Sequence, residues 1–99
     1  MAQIPNTFTL FSQQWQIRTA NSYEMPDDLG QCRADSLEVL INPNQNSESL
    51  IHTLIHELVH CIEVKLDLAM TERQVDLMAL GLLDLFRNNP NMLTLLEPQ

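Results

Sequence analysis

Ile51, Leu54, Ile55, Leu58, Val59 and Ile62 recur at a spacing that covers one broad side of a helix, and this pattern constrains the chain more than any other. His52, His56, His60 and Glu63 fall on a narrow stripe beside that apolar side. The segment is predicted as a helix from about Leu50 to Val64, with Ser47 or Ser49 as its cap. Within it, the run His56-Glu57-Leu58-Val59-His60 sets two histidines four residues apart. On a helix they lie one turn above each other, so both imidazoles can reach a single metal ion. Glu57 projects to the side, near the coordination position left for water, where it can take a proton.

Further segments precede and follow this helix. Thr9 to Ala20 alternates Trp15, Ile17 and Thr19 against Gln16 and Arg18, which predicts a half-buried strand. Asn21 to Leu29, with Pro26, Asp27 and Asp28, reads as a loop. Gln31 to Ala34 and Leu37 to Asn42 are short strands, with Leu37, Val39 and Ile41 on one face. Asp35-Ser36 between them is turn chemistry, so they are expected to form an antiparallel hairpin. After a connection over Leu66 to Met70, Thr71 with Gln74 three residues later makes a capping box for a second helix, which Asn88, Asn89 and Pro90 end. Ala79 and Gly81 are small enough to let it approach the first helix. Val75, Leu77, Met78, Leu80, Leu82, Leu83, Leu85 and Phe86 make it apolar over most of its circumference, which leaves room for a homo-oligomer or partner face. Met92 to Leu96 is expected as a short final turn on the core. The fold class that follows is α+β: one domain over residues 1–99, with an antiparallel sheet of about three strands packed on the histidine helix and the second helix.

Composition narrows the function. With a net charge of −8 and only Arg18, Arg33, Lys65, Arg73 and Arg87 as fixed cations, all scattered, the chain is not expected to bind nucleic acid. No apolar run is long enough to span a bilayer, and no secretory signal pattern is present, so a cytoplasmic setting is expected. Cys32 and Cys61 are too few for a disulfide scaffold. Cys61 follows His60 and points about a hundred degrees away from the histidine stripe, so a buried free thiol is expected in place of a metal ligand.

A hydrolytic zinc site takes three protein ligands and leaves the fourth position to water. The third ligand is expected from Glu72, at the start of a helix that turns back after a short connection; Glu63, on the histidine stripe, is its main rival. Asp76, one turn beyond Glu72, is placed to accept a hydrogen bond from the non-coordinating nitrogen of a histidine.

H-E-x-x-H followed on the next helix by E-x-x-x-D resembles the gluzincins, the thermolysin-like branch of the zinc metallopeptidases. The order of strands, hairpin and two helices is also similar to small single-domain metallopeptidase-like proteins of phages and mobile elements. The resemblance covers roughly residues 9–88. It implies a zincin-like fold, zinc held by His56, His60 and Glu72, Glu57 as general base, Asp76 orienting a histidine, and a protein or peptide as substrate. Relative to large gluzincins, the spacing from His60 to Glu72 is short and a second domain is lacking. Tyr23, Arg33 and His52 are the candidates for stabilising the tetrahedral intermediate, and the edge of the strand Gln31 to Asp35 for pairing with an extended peptide. The expected function is a zinc-dependent metallopeptidase. The alternative is a catalytically inactive zincin-fold binding or accessory protein that keeps zinc for structure.

Overall fold

Alternation of Trp15 and Ile17 with polar neighbours produces a strand with one buried face, but the stretch around it folds as two strands and not one. The structure, a computed structural model, describes residues 4–21, 23–24 and 27–98, so Pro26 of the expected loop lies outside the described residues. Strands β1 (Thr7–Leu10) and β2 (Gln13–Thr19) pair antiparallel, with Phe8 opposite Trp15. Phe11 and Ser12 join them with φ of 50° and 66°. Positive φ at both central positions is the requirement of a type I′ two-residue hairpin, whose usual signal is Asn-Gly or Asp-Gly. Phe-Ser carries no such signal, which is why the hairpin was hidden in the sequence.

The expected second hairpin is present. Strands β3 (Gly30–Arg33) and β4 (Glu38–Ile41) pair antiparallel across a 3₁₀ turn over Ala34–Ser36, closed by Leu37 at φ 55°. β4 also pairs parallel with β2, Ile17 opposite Val39, so the sheet runs β1-β2-β4-β3 and β3 forms one edge. The chain is therefore α+β as expected, but the sheet has four strands where about three were anticipated, and one parallel pair, β2 with β4, where an antiparallel sheet was expected. Trp15, Ile17, Val39 and Ile41 are buried on one sheet face, and the Phe8 ring stacks on Trp15 at 5.7 Å.

Helix α1 (Ser47–Lys65) covers that face. Its cap is Asn46, whose side chain accepts the Ser49 N–H at 2.8 Å, and not Ser47 or Ser49. The buried residues on α1 also differ from the predicted apolar side. Thr53, Glu57 and Cys61 are buried at four-residue spacing, and Cys61 joins the cluster of sheet residues, whereas Ile62 is exposed. Cys61 is a free thiol, as anticipated.

Helix α2 (Glu72–Asn88) starts at the expected capping box, Thr71 with Gln74. Val75 and Ala79 bury themselves against Val59 and Ile55 of α1. Arg87, near its end, makes two 3.0 Å bonds to the Glu48 carboxylate at the start of α1, so the helices run in opposite directions. Gly81 plays no part in this contact, since the space around it is open. Leu77, Met78 and Leu85 instead line an outward apolar groove of about 750 Å³ with Leu68, Met70 and Leu82. The final turn, α3 (Asn91–Thr94), does not pack on the core as expected; Met92, Leu93, Leu95 and Leu96 are all exposed. No helix among the described residues is long and apolar enough to cross a membrane.

The opposite face of the sheet is tied to the loop before β3 by charge. Arg18 donates to both carboxylate oxygens of Glu24, at 2.9 and 2.8 Å, and to Glu38 at 3.2 Å. The Arg18 hydrogen bonds, with the Asn21 N–H, hold the Glu24 carboxyl down to about 2 from an ordinary 4.5. A depressed folded value stabilises the fold above the unfolded value, and that contribution is lost as pH falls through the folded one. Thermal melts across this window should show wild type above Glu24→Gln at neutral pH, with the gap closing between pH 4.5 and about 2.

Candidate functional site

Three faces of α1 meet three different surroundings. Thr53, Glu57 and Cys61 turn towards the sheet, Ile55 and Val59 towards α2, and the histidine stripe lies about a hundred degrees from each. His52, His56 and His60 therefore open along the seam between β3 and α2. The His56 and His60 rings are edge to face, with centroids 5.0 Å apart.

The turn between the helices brings Glu72 to this seam. Asp67 and Ala69 take left-handed conformations, φ 54° and 51°, and reverse the chain within a few residues. The Glu63 carboxylate accepts the Met70 N–H at 3.1 Å, which fixes the end of the turn. Glu72 is the first residue of α2, where the helix dipole favours an anion. Its Oε1 lies 2.6 Å from His60 Nε2 and its Oε2 lies 3.3 Å from His56 Nε2.

Ligand atoms of His56, His60 and Glu72 all fall within 4.8 Å of one another. A tetrahedral zinc with bonds of about 2.0–2.2 Å needs donors about 3.4 Å apart. The exposed Glu72 carboxylate already lies 3.3 and 2.6 Å from the two Nε2 atoms, and two imidazoles with one carboxylate are a zinc-type donor set, so the residues fit the ion. The Nδ1 atoms are partnered as well. His56 Nδ1 is 3.4 Å from Asp76 and His60 Nδ1 is 3.3 Å from Glu63. Asp76 is thus beside a histidine as expected, and its carboxylate also lies 3.3 Å from His52 Nε2.

Glu63, the rival to Glu72 in the sequence, has a role that sequence reasoning missed: its buried carboxylate lies 3.3 Å from His60 Nδ1, on the side of the ring away from Glu72. Its position three residues after His60 was the available signal, because such pairs are neighbours on a helix. Burial works against a charged His60, yet the hydrogen bond with Glu63 and the charges of Glu72 and Glu57 outweigh it, and the imidazole pKa is raised.

Glu57 lies under β3. It is only 6% exposed, and burial raises its carboxyl pKa against the opposing charges of His56 and His60. It lines two cavities, about 410 and 320 Å³, which share Asp28, Gly30, His56 and Glu72. Gln45 ties together two residues that line the smaller cavity, Leu29 and Thr53: its amide donates to Leu29 O at 3.1 Å, and its carbonyl oxygen accepts from Ser49 and Thr53. Of the expected stabilisers of a tetrahedral intermediate, only His52 lines a cavity here. Tyr23 is 93% exposed, and Arg33 bonds Gln31 and pairs with Glu24.

No protein family, curated protein or solved structure matches the chain.

Gly30 is required by close approach. A Cβ there would stand 2.6 Å from Thr53 Cγ2 and 3.0 Å from Glu57 Cγ. Gly30→Ala should cost about 1–3 kcal/mol, the range for an overpacked site. Chemical denaturation measures this, and Thr53→Ser in the same chain should recover part of the loss by removing the methyl group.

Proposed function

We propose that this protein is a zinc-dependent hydrolase of peptide bonds, of gluzincin-like design. The observation that carries the reading is the convergence of His56, His60 and Glu72 within 4.8 Å, beside a buried Glu57 that faces the same cavities. His56, His60 and Glu72 would hold the ion. When bound, zinc supplies Lewis acidity to a carbonyl oxygen and lowers the pKa of water to about 7.

The chain's own groups account for the rest. Glu57 takes the proton of the attacking water and delivers it to the departing amine nitrogen. Its raised pKa brings the two protonation states closer together, which suits a group that must both accept and release a proton. With both rings protonated at Nδ1, Glu63 accepts a hydrogen bond from His60 and Asp76 lies 3.4 Å from His56 Nδ1, which leaves both Nε2 atoms, on the Glu72 side, to bind the ion. Gly30, Gln31 and Cys32 of edge strand β3 line the larger cavity, so an extended peptide can add to that edge through backbone hydrogen bonds and place its carbonyl near Glu57. Two free thiols suit a reducing, cytoplasmic setting.

Purified protein should contain one zinc per chain, and Glu57→Gln should keep it. The same variant should lose peptide cleavage by about a hundredfold or more, because an amide cannot accept the water proton. Elemental analysis and a peptide-library assay read the two outcomes. Absence of zinc after loading contradicts the reading outright. Bound zinc with no cleavage by wild type favours a binding protein on the same scaffold.

A further inference from the structure

Cys32 and Cys61 are the only cysteines of the chain, and the fold brings them from 29 positions apart to an Sγ–Sγ distance of 3.4 Å. Cys32 sits on edge strand β3 and lines the larger cavity beside His60 and Glu57. Cys61 follows His60 on α1 and is fully buried against the sheet. One thiol is thus reachable from the cavity and the other is sealed directly behind it. A redox pair needs this division: an accessible thiol that reacts and a second that resolves it.

We propose that Cys32 and Cys61 form a reversible redox site for small hydroperoxides, closing to a disulfide that fastens β3 to α1. The Cys32 thiolate attacks one peroxide oxygen and the O–O bond breaks. The alkoxide half of the hydroperoxide (hydroxide, for hydrogen peroxide) leaves, takes up the proton released by the Cys32 thiol and departs as an alcohol or water, and the sulfur becomes a sulfenic acid. Cys61 sulfur then attacks the Cys32 sulfur, the S–O bond breaks, and the Cys61 proton leaves with the hydroxyl as water. Two thiols are oxidised by two electrons and one hydroperoxide is reduced. Reduction by a dithiol returns both thiols.

A disulfide bond is about 2.05 Å long, so the sulfurs must approach by more than an ångström from 3.4 Å. Helix α1 is packed by the sheet on one side and α2 on another, whereas β3 is an edge strand that among the described residues pairs with β4 alone. The movement therefore falls on β3, which is the cavity wall and carries Gly30 over Glu57. Oxidation narrows the site and restricts peptide access; this regulatory consequence rests on the peptidase reading, and the bond itself does not.

The test uses the full chain with hydrogen peroxide, followed by denaturation and N-ethylmaleimide. Expected are a single-chain mass lower by two hydrogens with no maleimide added, a digest fragment joining Cys32 to Cys61, and two maleimides added after dithiothreitol. Hydrogen exchange of the β3 amides should slow in the oxidised protein. Cys32→Ser, at a half-buried position, should form no link. Unlinked sulfinic or sulfonic acid at Cys32, links between chains, or no reaction would each overturn the pair. Cleavage should fall at least tenfold on oxidation and return with dithiothreitol; unchanged cleavage by linked protein overturns the regulation. A link formed in protein that cleaves nothing in either state supports the redox pair and counts against the peptidase reading alone.

Discussion

Packing on α1 from two sides at once is the constraint on which the other features depend. Its sheet-facing positions, Thr53, Glu57 and Cys61, lie two hundred degrees round the helix from Ile55 and Val59, which meet α2. The histidine stripe falls between these surfaces, where neither packing partner covers it. Val59, Val75 and Ala79 draw α2 close enough for Glu72 to touch both rings, and the Arg87–Glu48 pair fixes the far ends of the helices. The carboxylate reaches the histidines because the helices pack apolar side chains below it.

This arrangement places unusual demands on charge. A chain with a net charge of −8 buries Glu57 and Glu63 on the same helix, four or fewer residues from His60. Buried carboxylates are costly unless their partners are close. Glu63 has the Met70 N–H and His60 Nδ1 within reach, so it has a structural reason to be there: it joins the interhelical turn to a histidine ring. Glu57 faces the cavity and Gly30, and the cost appears in its raised pKa. A buried carboxylate in such surroundings marks a candidate for acid-base chemistry.

What the sequence discloses follows the range of the interaction. Spacing along one helix fixes the relation of His56, Glu57 and His60, and the Thr71–Gln74 box marks the start of α2, so the convergence on Glu72 could be read from local patterns. The β3–β4 hairpin was equally legible, because Asp35-Ser36 has turn chemistry between two apolar runs. The first hairpin was not: Phe11 and Ser12 adopt positive φ under tertiary control, without the residues that favour it. The roles of Gly30, Gln45 and the Cys32–Cys61 pair were likewise hidden, since each is a contact between segments whose register no local pattern specifies. The apolar stripe on α1 misled at Ile62, because the sheet accepts Cys61 and the polar residues Thr53 and Glu57 in its place.

The central claim is that α2 completes the metal site begun by α1. X-ray absorption and high-resolution diffraction of zinc-loaded protein address it directly, through the identity and distance of each atom bound to the ion. The account predicts two imidazole nitrogens, from His56 and His60, and one Glu72 carboxylate oxygen at about 2.0–2.2 Å, with a non-protein oxygen completing four-coordination. A sulfur among the bound atoms, or zinc held with Glu72 turned away and His52 or Glu63 in its place, would contradict it.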